Sequence, residues 1–229
     1  MRWNCTDELA DAWIHRPLAG ILARRLAPTP VTPDHLTALS CGLGVCAALY
    51  LALGHPAAAP LLVAHLVFDC ADGQLARMRG PSRYGRWLDG LSDDIVGAAL
   101  FLGLWARGLP AGVAAACAAS LLVRAVIFDG LKALHRGAAH IPVYTPVQRW
   151  MAGPGTVPPW FLRLAGLGGV TTHHVILAVS ALSGDFSFFC LYTLLLANVL
   201  VAALMAARHG AAFRAGRDCR GPAAASPRP

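Results

Sequence analysis

Residues 69–93 read DCADGQLARMRGPSRYGRWLDGLSD, and they set four aspartates, Asp69, Asp72, Asp89 and Asp93, into a chain that is otherwise strongly apolar. The 229 residues are 56% hydrophobic and 14% charged, with a mean hydropathy of +0.54. That composition excludes an ordinary soluble domain and reads as a polytopic membrane protein. An ionised Asp at membrane depth costs at least ~2.5 kcal/mol, so such residues face a wet cavity, a partner charge or a bound cation. Four in one stretch point to metal.

The spacing supports metal. Asp69, Asp72, Gly73 and Ala76 stand in the i, i+3, i+4, i+7 relation and share one helical face. Gly85, Asp89 and Asp93 follow at i, i+4, i+8 on a second helix, with the basic segment Arg77 to Arg86 as the turn between the two. Two helices thus present two carboxylates each. Oxygen-only ligands suit hard divalent ions, Mg²⁺ or Mn²⁺, which leave positions open for water and substrate phosphate. Two such ions can bridge a diphosphate and stabilise an in-line displacement at phosphorus.

The pattern Asp69-x-x-Asp72-Gly73-x-x-Ala76-Arg77, then Gly85-x-x-x-Asp89-x-x-x-Asp93, resembles the signature of the CDP-alcohol phosphotransferases, integral membrane enzymes of phospholipid synthesis. The turn from Arg77 to Gly85 is one residue shorter than the family's commoner spacing. The resemblance implies that an acceptor hydroxyl attacks the phosphorus of a CDP-alcohol, most simply CDP-diacylglycerol, and that CMP leaves. It implies that Asp69, Asp72, Asp89 and Asp93 hold two divalent cations, with Asp93 also the general base. Asp69, Gly73 and Ala76 would accommodate the nucleotide, and Arg77 and Gly85 would line the diphosphate path. Thr32-Pro33-Asp34-x-x-Thr37 is similar to the family's TPN-x-x-T segment, with Asp34 where Asn is commoner. A homodimer is expected.

The rest of the chain divides around this stretch. Residues 1–34 are expected to form a cytoplasmic segment with an interfacial helix over 7–27, interrupted at Pro17 and anchored by Trp13. The spacing predicts a six-transmembrane-helix bundle, an all-α integral membrane fold, over 35–208. Spans are placed at 35–54, 57–78, 85–106, 110–133, 164–184 and 186–207, each of the ~20 residues a bilayer needs. Cys70, Ala71, Gly73, Gly90 and Gly97 are expected to let the second and third spans approach closely. The polar, Pro/Gly-rich stretch 134–159 is the longest connection, and residues 209–229 read as a disordered tail. The seven cysteines include no CxxC pair and read as reduced core residues.

Net charge is +7, from 19 basic and 12 acidic residues. Its distribution excludes a nucleic-acid partner, because no basic stripe interleaved with aromatics occurs. The basic residues instead fall in the amino-terminal segment, the Arg77–Arg86 loop, the fourth connection and the tail. Arg107 alone lies on the opposite side and Arg124 lies within a span. By the positive-inside rule both termini and the carboxylates face the cytoplasm, at the cell membrane.

Arg124, Lys132 and Arg149 are candidates to bind an acceptor phosphate, although Asp129 and Lys132 also fit an internal pair at i+3. The acceptor alcohol stays open, as does transfer from a soluble CDP-alcohol to an inositol phosphate or to diacylglycerol. A rival of another class, a divalent-cation carrier, explains the carboxylates but not Gly73, Ala76, Arg77 and Gly85 at their offsets.

Overall fold

The computed structural model describes residues 14–80, 82–135, 167 and 169–206, and all regular structure among them is helical. In chain order the elements are α1 (Arg16–Leu26), α2 (Pro33–Ala52), α3 (Ala58–Arg79), α4 (Gly85–Ala106), α5 (Ala111–His135) and α6 (Val170–Ser183). The last is α7 (Ser187–Ala206), which widens into a π turn at Tyr192–Leu196. Trp13, Arg149, most of the long connection and the tail lie outside the described residues. Arg124 and Lys132 fall on α5 by backbone alone.

Helix α2 is the axis of the bundle. It starts where the sequence supplies both an N-cap and a pre-set φ. The Thr32 side chain accepts from His35 N, His35 Nδ1 accepts from Thr32 N, and Pro33 opens the helix. Leu36, Thr37, Ser40, Gly44, Ala47, Ala48 and Leu51 are buried along it, nearly all small, so α3 and α4 both pack closely on α2. That corrects the expected pairing. α3 and α4 have little direct packing, because α2 lies between them. A Cβ added at Gly90 or Gly97 meets nothing within 4 Å. The close approach is made elsewhere. A Cβ at Gly44 would sit 2.6 Å from Val96 methyls, and one at Gly103 would sit 2.6 Å from the Ala48 carbonyl oxygen.

Pro17 also differs from expectation. It stands in the first turn of α1, where its missing N–H is an orphan in any case, and so opens that helix. α1 buries Ala19, Gly20 and Ala23, and Leu36 of α2 with Ala71 and Leu75 of α3 complete this small core. The Arg79 guanidinium ties down the link between α1 and α2 by donating to the carbonyls of Ala27, Thr29 and Val31. At the α6–α7 turn Gly184 takes φ 72°. There Asp185 accepts from Ser187 N at 2.8 Å, a bond to the ionised form that holds its carboxyl below the usual range.

Among the described residues many large apolar side chains face outward. Leu49, Leu53, Leu102, Leu122, Val179, Leu182 and Val199 are all more than half exposed. α2 and α7 are long and apolar enough to cross a membrane. Surface of this kind is covered by lipid or by partner protein.

The contact at Gly103 generates a test. Gly103→Val drives a side chain into the α2 backbone, which cannot swing aside, so destabilisation of ~1–3 kcal/mol is expected. Gly97→Ala, into open space, should leave the melting temperature in detergent unchanged or raised. Thermal unfolding of both variants checks the pair.

Candidate active site

The two halves of the carboxylate motif occupy neighbouring helix ends. Asp69 and Asp72 lie in the last three turns of α3, and Asp89 lies one turn into α4. One oxygen from each of Asp69, Asp72 and Asp89 falls within 4.8 Å of the others. Oxygens that share a cation at 2.0–2.6 Å lie at most ~4–5 Å apart, so this donor set fits a hard divalent ion. Asp93 is exposed, one turn further along α4, and is not part of that trio.

The Asp72 and Asp89 carboxylates open onto a cavity of about 410 Å³. Gly73, Ala76 and Arg77 of α3 and Gly85 of α4 line it, so those predicted positions converge on one space. Arg77 lies over Gly73, its Nη1 3.5 Å from where a Cβ would stand. Gly85 is tighter, since a Cβ there would come within 3.1 Å of Ser82 Oγ. At both positions glycine leaves the cavity wall low enough for a ligand to lie against backbone.

Five lining residues were not anticipated as part of the site: Pro33, Asp34 and Thr37 on α2, Gly80 at the end of α3, and Ser82 in the loop. Thr37 Oγ1 donates to Asp72 Oδ2 at 2.5 Å, with Pro33 O a weaker alternative acceptor at 3.2 Å. Ser82 Oγ donates to Asp34 Oδ1 at 2.8 Å, which ties the short loop across the mouth of the cavity to α2. Gly80 permits that path, leaving α3 at φ 96°. One signal was available. Asp34 and Thr37 stand at i, i+3 at the start of an apolar helix, polar residues on one face like those on α3.

Residues 30–215 match the family model of CDP-alcohol phosphatidyltransferase. The chain belongs to that family. It is therefore a transferase of substituted phosphate groups. Among solved structures, the chain is similar to Mycobacterium tuberculosis phosphatidylinositol phosphate synthase (PgsA1) with CDP-DAG bound. The identity is 23% and the TM-score 0.52, over 86% of this chain and 94% of that one. That likeness is one of fold. No curated protein matches the chain.

The Thr37 bond to Asp72 generates the second prediction. Hydrogen bonds to charged groups contribute ~1.5–3 kcal/mol, so Thr37→Val should lower transferase turnover ~10-fold or more. Thr37→Ser keeps the hydroxyl and should stay within about twofold of the parent. Initial rates of the two variants at matched protein stability decide it.

Proposed function

We propose that this enzyme transfers a phosphatidyl group from CDP-diacylglycerol to an acceptor hydroxyl and releases CMP. The observation that carries the reading is the meeting of Asp69, Asp72 and Asp89 beside a cavity lined by Gly73, Ala76, Arg77 and Gly85. Asp69, Asp72, Asp89 and Asp93 are the residues that would hold two divalent cations, Mg²⁺ or Mn²⁺. Bound there, the cations would neutralise the diphosphate and the charge that develops as it is displaced.

The protein's own groups do the rest. Asp72 is held by Thr37, so its second oxygen is presented at a fixed angle. Gly73 and Ala76 leave room for the cytidine, and Arg77, above Gly73, binds the diphosphate oxygens and orients the leaving CMP. Asp93 stands on the same stripe of α4 as Asp89. It accepts the proton of the acceptor hydroxyl as the oxygen–phosphorus bond forms. Arg124, Lys132 and Arg149 are assigned to an acceptor phosphate on their charge alone.

We place the chain in the cell membrane as six spans, α2 to α7, with the domain at 35–208 and cytoplasmic segments at 1–34 and 209–229. The exposed leucines and valines support lipid contact. Arg77, Arg79 and Arg83 are close in sequence to exposed Tyr84 and Trp87, and Arg83 lies over the Tyr84 ring, the mixture found at a cytoplasmic membrane interface.

The test is a panel of acceptors, among them glycerol phosphate, inositol phosphate and serine, with CDP-diacylglycerol in vesicles, scored for CMP and lipid product. CMP release should need Mg²⁺ or Mn²⁺ and stop with chelator. Asp89→Asn should cost at least ~100-fold, the equivalent of several kcal/mol of charge stabilisation. Asp93→Asn should lower kcat by ~10²–10⁴-fold with the donor KM little changed. Turnover of CDP-choline with diacylglycerol in place of CDP-diacylglycerol would reverse the donor assignment. Ion flux without CMP release would favour a carrier.

A further inference from the structure

Deeper along the seam where α2 meets α3, a second polar pair is sealed from solvent. Ser40 is 0% and His65 3% exposed. Ser40 Oγ lies 2.8 Å from His65 Nδ1 and 3.0 Å from His65 O, and Nδ1 lies 3.1 Å from Ser40 O. Only one proton arrangement satisfies all three contacts. Nδ1–H donates to both Ser40 oxygens, and the Ser40 hydroxyl donates to the His65 carbonyl. The alternative, with the hydroxyl donating to a bare Nδ1, would set that nitrogen's lone pair against the Ser40 carbonyl oxygen. The bonds are reciprocal and engage the backbone of both helices, so they fix rotation and register as well as separation.

On α2, Ser40 is three residues beyond Thr37, and on α3, His65 is seven before Asp72. The helices run antiparallel, so the two bridges are successive pins in one seam, and the first ends on a proposed metal ligand. Asp69 lies one turn after His65 on the same face of α3. A turn of α3 about its axis would carry Asp69 and Asp72 away from Asp89, which α2 holds independently through α4. Apolar side chains of similar size would fill this site without setting register, because dispersion is not directional. A buried polar pair bonded to the backbone of both helices does set it.

We propose that His65, locked to Ser40, is a positioning residue that sets the rotation of α3 and so the geometry of the Asp69–Asp72–Asp89 cation site. This rests on the metal-binding role of those aspartates given above. The test is Mn²⁺ binding to the purified full chain without donor, read from the electron paramagnetic resonance signal of free Mn²⁺, with melting temperature recorded alongside.

His65→Leu, and Ser40→Ala/His65→Leu, should weaken Mn²⁺ ~10-fold, the scale of lost support to a metal ligand. The double variant should do so with little loss of melting temperature, since replacing both partners by apolar groups is nearly neutral to stability. His65→Asn places an amide nitrogen where Nδ1 stood and should restore affinity to within about threefold, whereas His65→Gln should not. A folded double variant that binds Mn²⁺ as the parent does, or equal affinities for His65→Asn and His65→Gln, would overturn the proposal while leaving the metal site standing. A parent protein that binds no Mn²⁺ would overturn both.

Discussion

Three carboxylates with oxygens within 4.8 Å of one another are the constraint on which the rest of this structure depends. When ionised, each pair at that distance repels by about 3 kcal/mol at an effective dielectric constant of about 20. A bundle that gathers such groups needs a counter-charge and a framework stiff enough to hold them together. A divalent ion would supply the first. α2 supplies the second.

The carboxylates come from α3 and α4, yet those helices barely touch. Their relation is set through α2, which meets α4 where Gly44 receives the Val96 side chain and where Gly103 lies against the Ala48 backbone. It meets α3 through hydroxyl-bearing residues, Thr37 to Asp72 and Ser40 to His65. One face of α2 is therefore a steric stop and the other a polar register. The same helix contributes Asp34, which holds the Ser82 loop at the cavity mouth. Arg79, on the carbonyls of the α1–α2 link, fixes where that helix begins.

Much of this was legible in the sequence, for identifiable reasons. The spans expected at 35–54, 57–78, 85–106 and 110–133 correspond to helices Pro33–Ala52, Ala58–Arg79, Gly85–Ala106 and Ala111–His135. Long charge-free runs broken by Gly and Pro leave few other ways to satisfy the backbone. The aspartate spacing put Asp69 and Asp72 on one face of α3 because helical periodicity is local, whereas their meeting with Asp89 of α4 is tertiary. What was misread was tertiary. The sequence contains Gly90, Gly97 and Gly103 on one helix, and nothing local says that only Gly103 faces a backbone. Thr37 was noted in a family-like segment but given no role, because its importance lies in a partner 35 residues away. The π turn in α7 was likewise invisible, since its residues Tyr192–Leu196 read as ordinary apolar helix.

The most direct measurement of the central claim is anomalous diffraction from a crystal of the full chain grown with Mn²⁺. The account predicts manganese peaks between the carboxylates of Asp69, Asp72 and Asp89, within ~2.0–2.6 Å of their oxygens. Manganese found only elsewhere, or these three side chains turned apart with no metal between them at saturating concentration, would contradict it.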